Sequence, residues 1–360
     1  MLASTSFTWA AENGLDLGFF TLRYYSLLFA GGFFLGYRQM RKWFAAAGLT
    51  QDQLDTLLTT MVAATVVGAR LGHVFFYDWA YYQDHLVEIL YVWEGGLASH
   101  GAAAAILVTM FWYAKYVIRK PYLWMMDRLV ITVALAAVFI RTGNLMNSEI
   151  YGEPDNSVAQ TVFARPVLDL IENHYGHALA SARLEADEQR PDLVTDSLSL
   201  PAYRLVVKPV QGMGPGELEA LWQGQLLPHL QARPVDRMHF IGAPSEKPVL
   251  LESGEVALLG YGIPRHPTQV YEALFYLLVY FFLMRRSRQG DLDRPGRTFG
   301  WFLVGVFGFR IAVEFLKANQ SAFEAGMALN MGQWLSLPLV LAGGYFIWAS
   351  FQKVKNASQS

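Results

Sequence analysis

Seven stretches of about 20 mostly apolar residues recur along this 360-residue chain, near 17–37, 56–77, 99–118, 125–146, 268–285, 298–317 and 331–351. Each is about as long as a helix that crosses the hydrocarbon of a bilayer, where only structures that satisfy every backbone group internally persist. The pattern predicts an all-α polytopic membrane protein of about seven transmembrane helices. Composition agrees: 53% of residues are hydrophobic and 16% charged, against roughly 25% charged in soluble domains. The first run, "LGFFTLRYYSLLFAGGFFLGY", follows no basic region and no evident small-residue cleavage site, so it reads as a retained helix.

Basic residues set the orientation, because Lys and Arg concentrate in short cytoplasmic loops. Arg38, Arg41 and Lys42 follow the first span, Lys115, Arg119, Lys120 and Arg128 lie around the junction of the third and fourth, "RRSRQGDLDRPGR" follows the fifth, and Lys353 and Lys355 end the seventh; the alternate loops 78–97 and 318–330 carry neither residue. An odd number of spans then puts the N-terminus outside and the C-terminus in the cytoplasm. Within the 78–97 loop, "DWAYYQDHLVEILYVWEGG" has the aromatic and acidic character of an interfacial segment. Residues 148–265 differ in kind, with mixed charge, prolines and alternating runs such as "YRLVVKPV", and read as a water-facing, mixed extracytoplasmic insertion between the fourth and fifth helices. The expected organisation is helices one to four over 1–147, the insertion over 148–265 and helices five to seven over 266–360.

A net charge of −2 gives no basic face for nucleic acid, and the absence of cysteine removes disulfides, thiolate metal sites and an enzyme-borne thiol nucleophile. No HExxH, phosphate loop, GxSxG elbow or metal-spaced His cluster occurs, and "DLD" at 291–293 lies among basic residues as a solvated loop.

Charged residues inside spans are costly and usually mark a site. The informative ones are Arg70 in "GARLGHVFFYD", His100 in "EGGLASHGAAAA", Arg141 in "RTGNLMNSEIYG", and Arg310 with Glu314 in "GFRIAVEFLK". Arg310 and Glu314 share a helical face and have two readings, mutual neutralisation or function. Arg70 also has two, a guanidinium snorkelling to the outer head groups or one kept for an anion. Snorkelling does not account for Arg141, which arrives with Asn144, Asn147, Ser148 and Glu149. His100 precedes small residues that permit close helix packing; it is open to a structural or a catalytic reading. In "RHPTQVYEALFY", Pro267 suits a first helical turn, and His266, Gln269 and Glu272 then share one face. Three cations with one pairable Glu314 near the outer half of a bundle form a positive pocket, for which lipid phosphate is the nearest anion.

These residues resemble the prolipoprotein diacylglyceryl transferase family. Its Arg-x-Gly-Asn-x-x-Asn-x-Glu-x-x-Gly signature is similar to Arg141, Gly143, Asn144, Asn147, Glu149 and Gly152. Its His-Gly looks like His100-Gly101, its Arg-x-x-x-Glu-Phe like Arg310, Glu314 and Phe315, and its Gly-x-Arg-x-Gly like Gly68, Arg70 and Gly72. Its His-Pro-Ser/Thr-Gln-x-Tyr-Glu is similar to 266–272, its Met-Gly-Gln to 331–333, and a tyrosine of its first span to Tyr25. Departures are Ile140 and Ala102, where many members have Gly, and an insertion longer than the family's.

The resemblance implies transfer of the diacylglyceryl group of phosphatidylglycerol to the lipobox cysteine of prolipoprotein signal peptides, in the bacterial inner membrane, with no metal or other cofactor. Catalytic roles then fall to Arg141 and Arg310, as guanidiniums for the departing phosphate, and to His100 as base for the substrate thiol. Tyr25, Arg70, Asn144, Asn147, Glu149, Gly152, His266, Gln269, Glu272 and Glu314 are expected to bind or orient substrate. Two rival classes fit the sequence less well. A transporter predicts polar groups spread across the membrane depth and an internal repeat, neither of which stands out; a chaperone-like membrane protein leaves the buried arginines without purpose.

Overall fold

The computed structural model describes residues 7–157, 159–195, 197–231, 239–243, 246–318 and 326–357. Its principal helices are α1 (Tyr24–Ala46), α2 (Gln51–Phe76), α3 (Ser99–Trp112, continued by a wider turn over Tyr113–Val117), α4 (Tyr122–Met146), α5 (Arg165–Tyr175), α6 (Thr268–Arg288), α7 (Arg297–Val313) and α8 (Met331–Ala357). Among the described residues, four segments are long and apolar enough to cross a membrane: Gln51–Phe76, Tyr122–Met146, Arg297–Leu316 and Met331–Gln352. The other three expected spans are helical but shorter or more charged. α3 has 14 residues before its widened turn, α6 ends in Arg285, Arg286 and Arg288, and α1 carries Arg38, Arg41 and Lys42.

Strands occur in the insertion, whose expected character is mixed, and also before the first helix, where the all-α expectation requires correction. They are β1 (Phe7–Trp9), β2 (Gly14–Asp16), β3 (Thr21–Arg23), β4 (Thr161–Phe163), β5 (Leu179–Ala186), β6 (Ala202–Pro209), β7 (Phe240–Gly242), β8 (Val249–Leu250), β9 (Val256–Gly262) and β10 (Pro264–Arg265), with a further short pairing of Leu193–Val194 and Ser199–Leu200. β2 and β3 pair as a hairpin in which the Asp16 carboxylate accepts from Gly18 N at 2.8 Å and Gly18 takes φ +83°. That turn occupies the first residues of the expected 17–37 span, so the helix starts only at Tyr24.

The chain forms two compact units. One comprises Met1–Ala30, Val138–Phe275 and Phe309–Ser336. It contains all the described strands. β8, β9, β6 and β5 make an antiparallel sheet in that order, with β7 also on β9, while β1 and β10 flank β4. β6 is central, and its Leu205 pairs with Leu258 on one side and Leu184 on the other. α5 presents Val167, Leu168, Leu170, Ile171 and Tyr175 at helical spacing to the same core, which also takes Trp222, Leu226 and Phe240. Each such buried side chain contributes about 1.5–3 kcal/mol.

The other unit comprises Gly31–Ala137, Tyr276–Gly308 and Leu337–Ser360. A capping box starts α2, Thr50 Oγ1 accepting from Gln53 N and Gln53 Oε1 from Thr50 N. Met40, Phe44, Leu54, Leu57, Met110, Tyr113, Met125 and Leu129 pack as its core. Asp127 of α4 accepts from Gly296 N at 2.7 Å and Phe299 N at 2.8 Å, fixing the start of α7. Glycines allow backbone contact between helices: a Cβ on Gly101 would lie 2.3 Å from Gly68 O and 2.7 Å from Gly72 Cα, and one on Gly300 2.7 Å from Gly343 O. The outer faces stay apolar, with Phe34, Val67, Leu278, Leu341 and Trp348 exposed, as suits contact with lipid.

Candidate active site

In the strand-bearing unit, one set of helix ends converges. Arg141 lies near the end of α4, Gln269 and Glu272 in the first turns of α6, Arg310 and Glu314 at the end of α7, and Asn330 caps the start of α8. Arg141 Nε is 3.1 Å from Glu272 Oε2, and its Nη1 donates to Asn144 Oδ1 at 3.0 Å. Asn144 Nδ2 donates to Glu149 Oε1 at 2.7 Å and Asn147 Nδ2 to the same oxygen at 3.3 Å. Arg310 Nε lies 3.5 Å from Glu314 Oε1, whose other oxygen accepts from Asn330 Nδ2 at 3.0 Å.

Sequence reasoning missed one member. Lys317 Nζ donates to Glu272 Oε1 at 3.1 Å and to Glu314 Oε1 at 3.2 Å, joining the two pairs. Its only sequence signal was its place three residues after Glu314. The expected surplus of unpaired arginine also needs correction, since Arg141 has a carboxylate partner in Glu272 that the sequence placed on a different motif. The pairs are nonetheless open to their surroundings: the Arg310 side chain is 37% exposed and that of Arg141 14%.

Backbone geometry around the signature explains its glycines and its strain. Ser148 has φ +50° and Ile150 φ +57°, left-handed conformations that are costly for a β-branched residue. They turn the chain so that the carbonyls of Glu149 and Ile150 accept from Gln269 Nε2 at 2.6 Å and Thr268 Oγ1 at 2.8 Å. Gly152 pairs with Lys317 in a β-bridge, and a Cβ there would meet Leu316 O at 2.5 Å and His266 Cβ at 2.6 Å. Gly143 faces the ring of Tyr25 at 2.7 Å, and Gly332 faces the Glu314 carboxyl at 2.8 Å, measured from the Cβ each lacks. His266 stands at the rim, Nε2 3.4 Å from Asp155 Oδ2 and Nδ1 3.3 Å from the Tyr271 hydroxyl. Burial would raise the Asp155 carboxyl, but hydrogen bonds from Ser157 and the imidazole of His266 outweigh it and hold Asp155 below its ordinary range.

Arg70 and His100 belong to the other unit. Arg70 is buried and donates Nε to Ile89 O at 2.9 Å, Nη1 to Gly95 O at 2.8 Å and Nη2 to Glu88 O at 2.6 Å, with its guanidinium 5.0 Å from the centre of the Tyr82 ring. These bonds hold the 78–97 segment, which forms short helical turns at Trp79–Tyr82, Leu86–Leu90 and Val92–Glu94. His100 is exposed at the start of α3, its ring 5.3 Å from Phe76 and 5.7 Å from Tyr77. Among the described residues no group of three or more His, Asp or Glu side chains is disposed to hold a metal ion.

Long apolar helices with a charged cluster at one set of ends define a membrane protein, and that cluster is its candidate site. More particularly, the chain belongs to the prolipoprotein diacylglyceryl transferase family, whose model matches residues 13–349. It is similar to the phosphatidylglycerol–prolipoprotein diacylglyceryl transferase of Tolumonas auensis, 31% identical over 93% of this chain and 94% of that protein. The enzymes of the same name from Chloroherpeton thalassium and Porphyromonas gingivalis are 30% and 32% identical over 95% and 92% of this chain, covering 92% and 89% of their own lengths.

Proposed function

We propose that this chain transfers the sn-1,2-diacylglyceryl group of phosphatidylglycerol to the lipobox cysteine of prolipoproteins, in the bacterial inner membrane, as a first step of lipoprotein maturation. The cysteine sulfur forms a thioether bond to glycerol C3 as the C3–O bond breaks, its proton passes to a base, and glycerol 1-phosphate leaves with the bonding electrons. Seven spanning helices, an external N-terminus, a cytoplasmic C-terminus and an outward-facing 148–265 insertion between membrane segments 1–147 and 266–360 complete the reading.

The observation that carries it is the joining of Arg141 and Arg310 through Glu272, Lys317 and Glu314 with both guanidiniums still partly exposed. Charge grows on the leaving phosphate in the transition state, and preorganised guanidiniums outside bulk water stabilise it strongly. Asn144, Asn147 and Glu149 orient Arg141 and the glycerol hydroxyls. Tyr25, Gly152, His266 and Gln269 shape the site around them, and His100 takes the thiol proton. A positive environment also favours thiolate, whose parent thiol has a pKa of about 8.5. Arg70 contributes by holding the interfacial segment.

The test is direct. Purified full-length protein in phosphatidylglycerol nanodiscs, given a lipobox peptide, should yield diacylglyceryl-modified peptide by mass spectrometry. Unchanged peptide from a folded preparation, with both substrates present, overturns the reading.

A further inference from the structure

The site holds one cation that meets almost no surroundings. The Lys317 side chain is 3% exposed, against 14% for Arg141 and 37% for Arg310. It lies against Glu272 and Glu314, the carboxylates that also hold the two arginines. A buried ammonium that has given up its hydration needs such compensation. So placed, it is poorly suited to receive a lipid head group itself.

We propose that Lys317 is a positioning residue for the transfer reaction, bridging Glu272 and Glu314 so that Arg141 and Arg310 act as one two-armed clamp on the donor phosphate. The inference rests on the activity proposed above. In the linked pairs three cations face two carboxylates, and Lys317 supplies the cation in excess. Each carboxylate divides its charge between an arginine and the ammonium, leaving the guanidiniums underneutralised and able to hold a second anion. Glu149, the acid of the signature, is turned to the amides of Asn144 and Asn147. Asn330, on the far side of Glu314, brings no charge. Without the ammonium, each arginine would be matched by one glutamate and the clamp would lose its excess charge. The bridge also has a fixed place, because Glu153 N donates to Leu316 O at 2.9 Å and ties the segment carrying Lys317 to the signature segment.

The experiment compares Lys317→Met, Lys317→Gln and Lys317→Arg in full-length protein, in phosphatidylglycerol nanodiscs with a lipobox peptide, each checked for folding by thermal melting. The neutral variants should lose at least about 30-fold in kcat/KM for the lipid, and Lys317→Arg should stay within about fivefold of the parent. Lys317→Met combined with Glu314→Gln removes one charge of each sign and restores the excess; it should be at least about fivefold more active than Lys317→Met alone, which a packing role does not predict. A folded Lys317→Met within threefold of the parent overturns the proposal, as does a double variant no better than Lys317→Met. Should Lys317→Met not fold, equal activities of Lys317→Gln and Lys317→Arg overturn it. A parent protein that makes no product overturns the proposed activity itself, a result distinct from active variants.

Discussion

Arg141 is paired at 3.1 Å with Glu272, a side chain with no exposed surface. The carboxylate therefore acts as a fixed rest for the guanidinium: it limits the directions in which Arg141 can point while leaving part of it accessible. Glu272→Gln keeps the shape and removes the charge. Breaking a buried pair from one side costs about 3–5 kcal/mol, so this variant should melt several degrees lower and turn over about 100-fold more slowly in the peptide assay. Turnover within a few-fold of the parent would mean that Arg141 is oriented by Asn144 alone.

Gly152 sits where two chain segments exchange backbone hydrogen bonds, with no room for a methyl group. Gly152→Ala should separate the signature from the segment bearing Lys317 and abolish activity, while Gly216→Ala, at a position with open space, serves as a control of the same size. Matched activities in the two variants would contradict the packing described.

Arg70 satisfies three carbonyl oxygens with one planar side chain. A lysine carries a shorter, unforked donor group and does not reproduce that geometry. Arg70→Lys should therefore speed amide exchange across 86–95 about tenfold or more, with little change in exchange at α5. Unaltered protection of 86–95 would show that the segment is held by its aromatic contacts instead.

Asp155 has a carboxyl held below its ordinary range in the folded protein. Its contribution to stability is present above the unfolded carboxyl pKa of about 3.9 and is lost as pH falls through the lower folded value. Melting temperature should drop steeply below about pH 4, and Asp155→Asn should flatten that limb while lowering stability at pH 7. An identical acid limb in the variant would assign the loss to other carboxylates such as Glu255, which hydrogen bonds from Arg183 and Ser253 also hold low.

The signature from Arg141 to Gly152 was readable because its polar residues are contiguous and follow an apolar run that demands an explanation. The Arg310–Glu314 pair was readable because helical periodicity alone brings such residues to one face. The partnership of Arg141 with Glu272 was not, since nothing local indicates which end of α6 meets which end of α4. Lys317 was hidden for the same reason, and because a lysine just beyond an apolar run reads as an ordinary head-group anchor. The β2–β3 hairpin was masked by composition: Leu15, Leu17, Phe19 and Phe20 continue the apolar character of the following helix, and only Asp16 with Gly18 marks the turn. Arg70 is open to two readings in the sequence, snorkelling or anion binding, because sequence cannot show a guanidinium turned toward its own chain's carbonyls.

Gly68, Gly72 and Gly101 leave α2 and α3 touching backbone to backbone just below His100. A seam that tight has no width for a hydrocarbon tail. An acyl chain cannot pass between α2 and α3 at that point, because three residues without side chains let the two backbones close the gap.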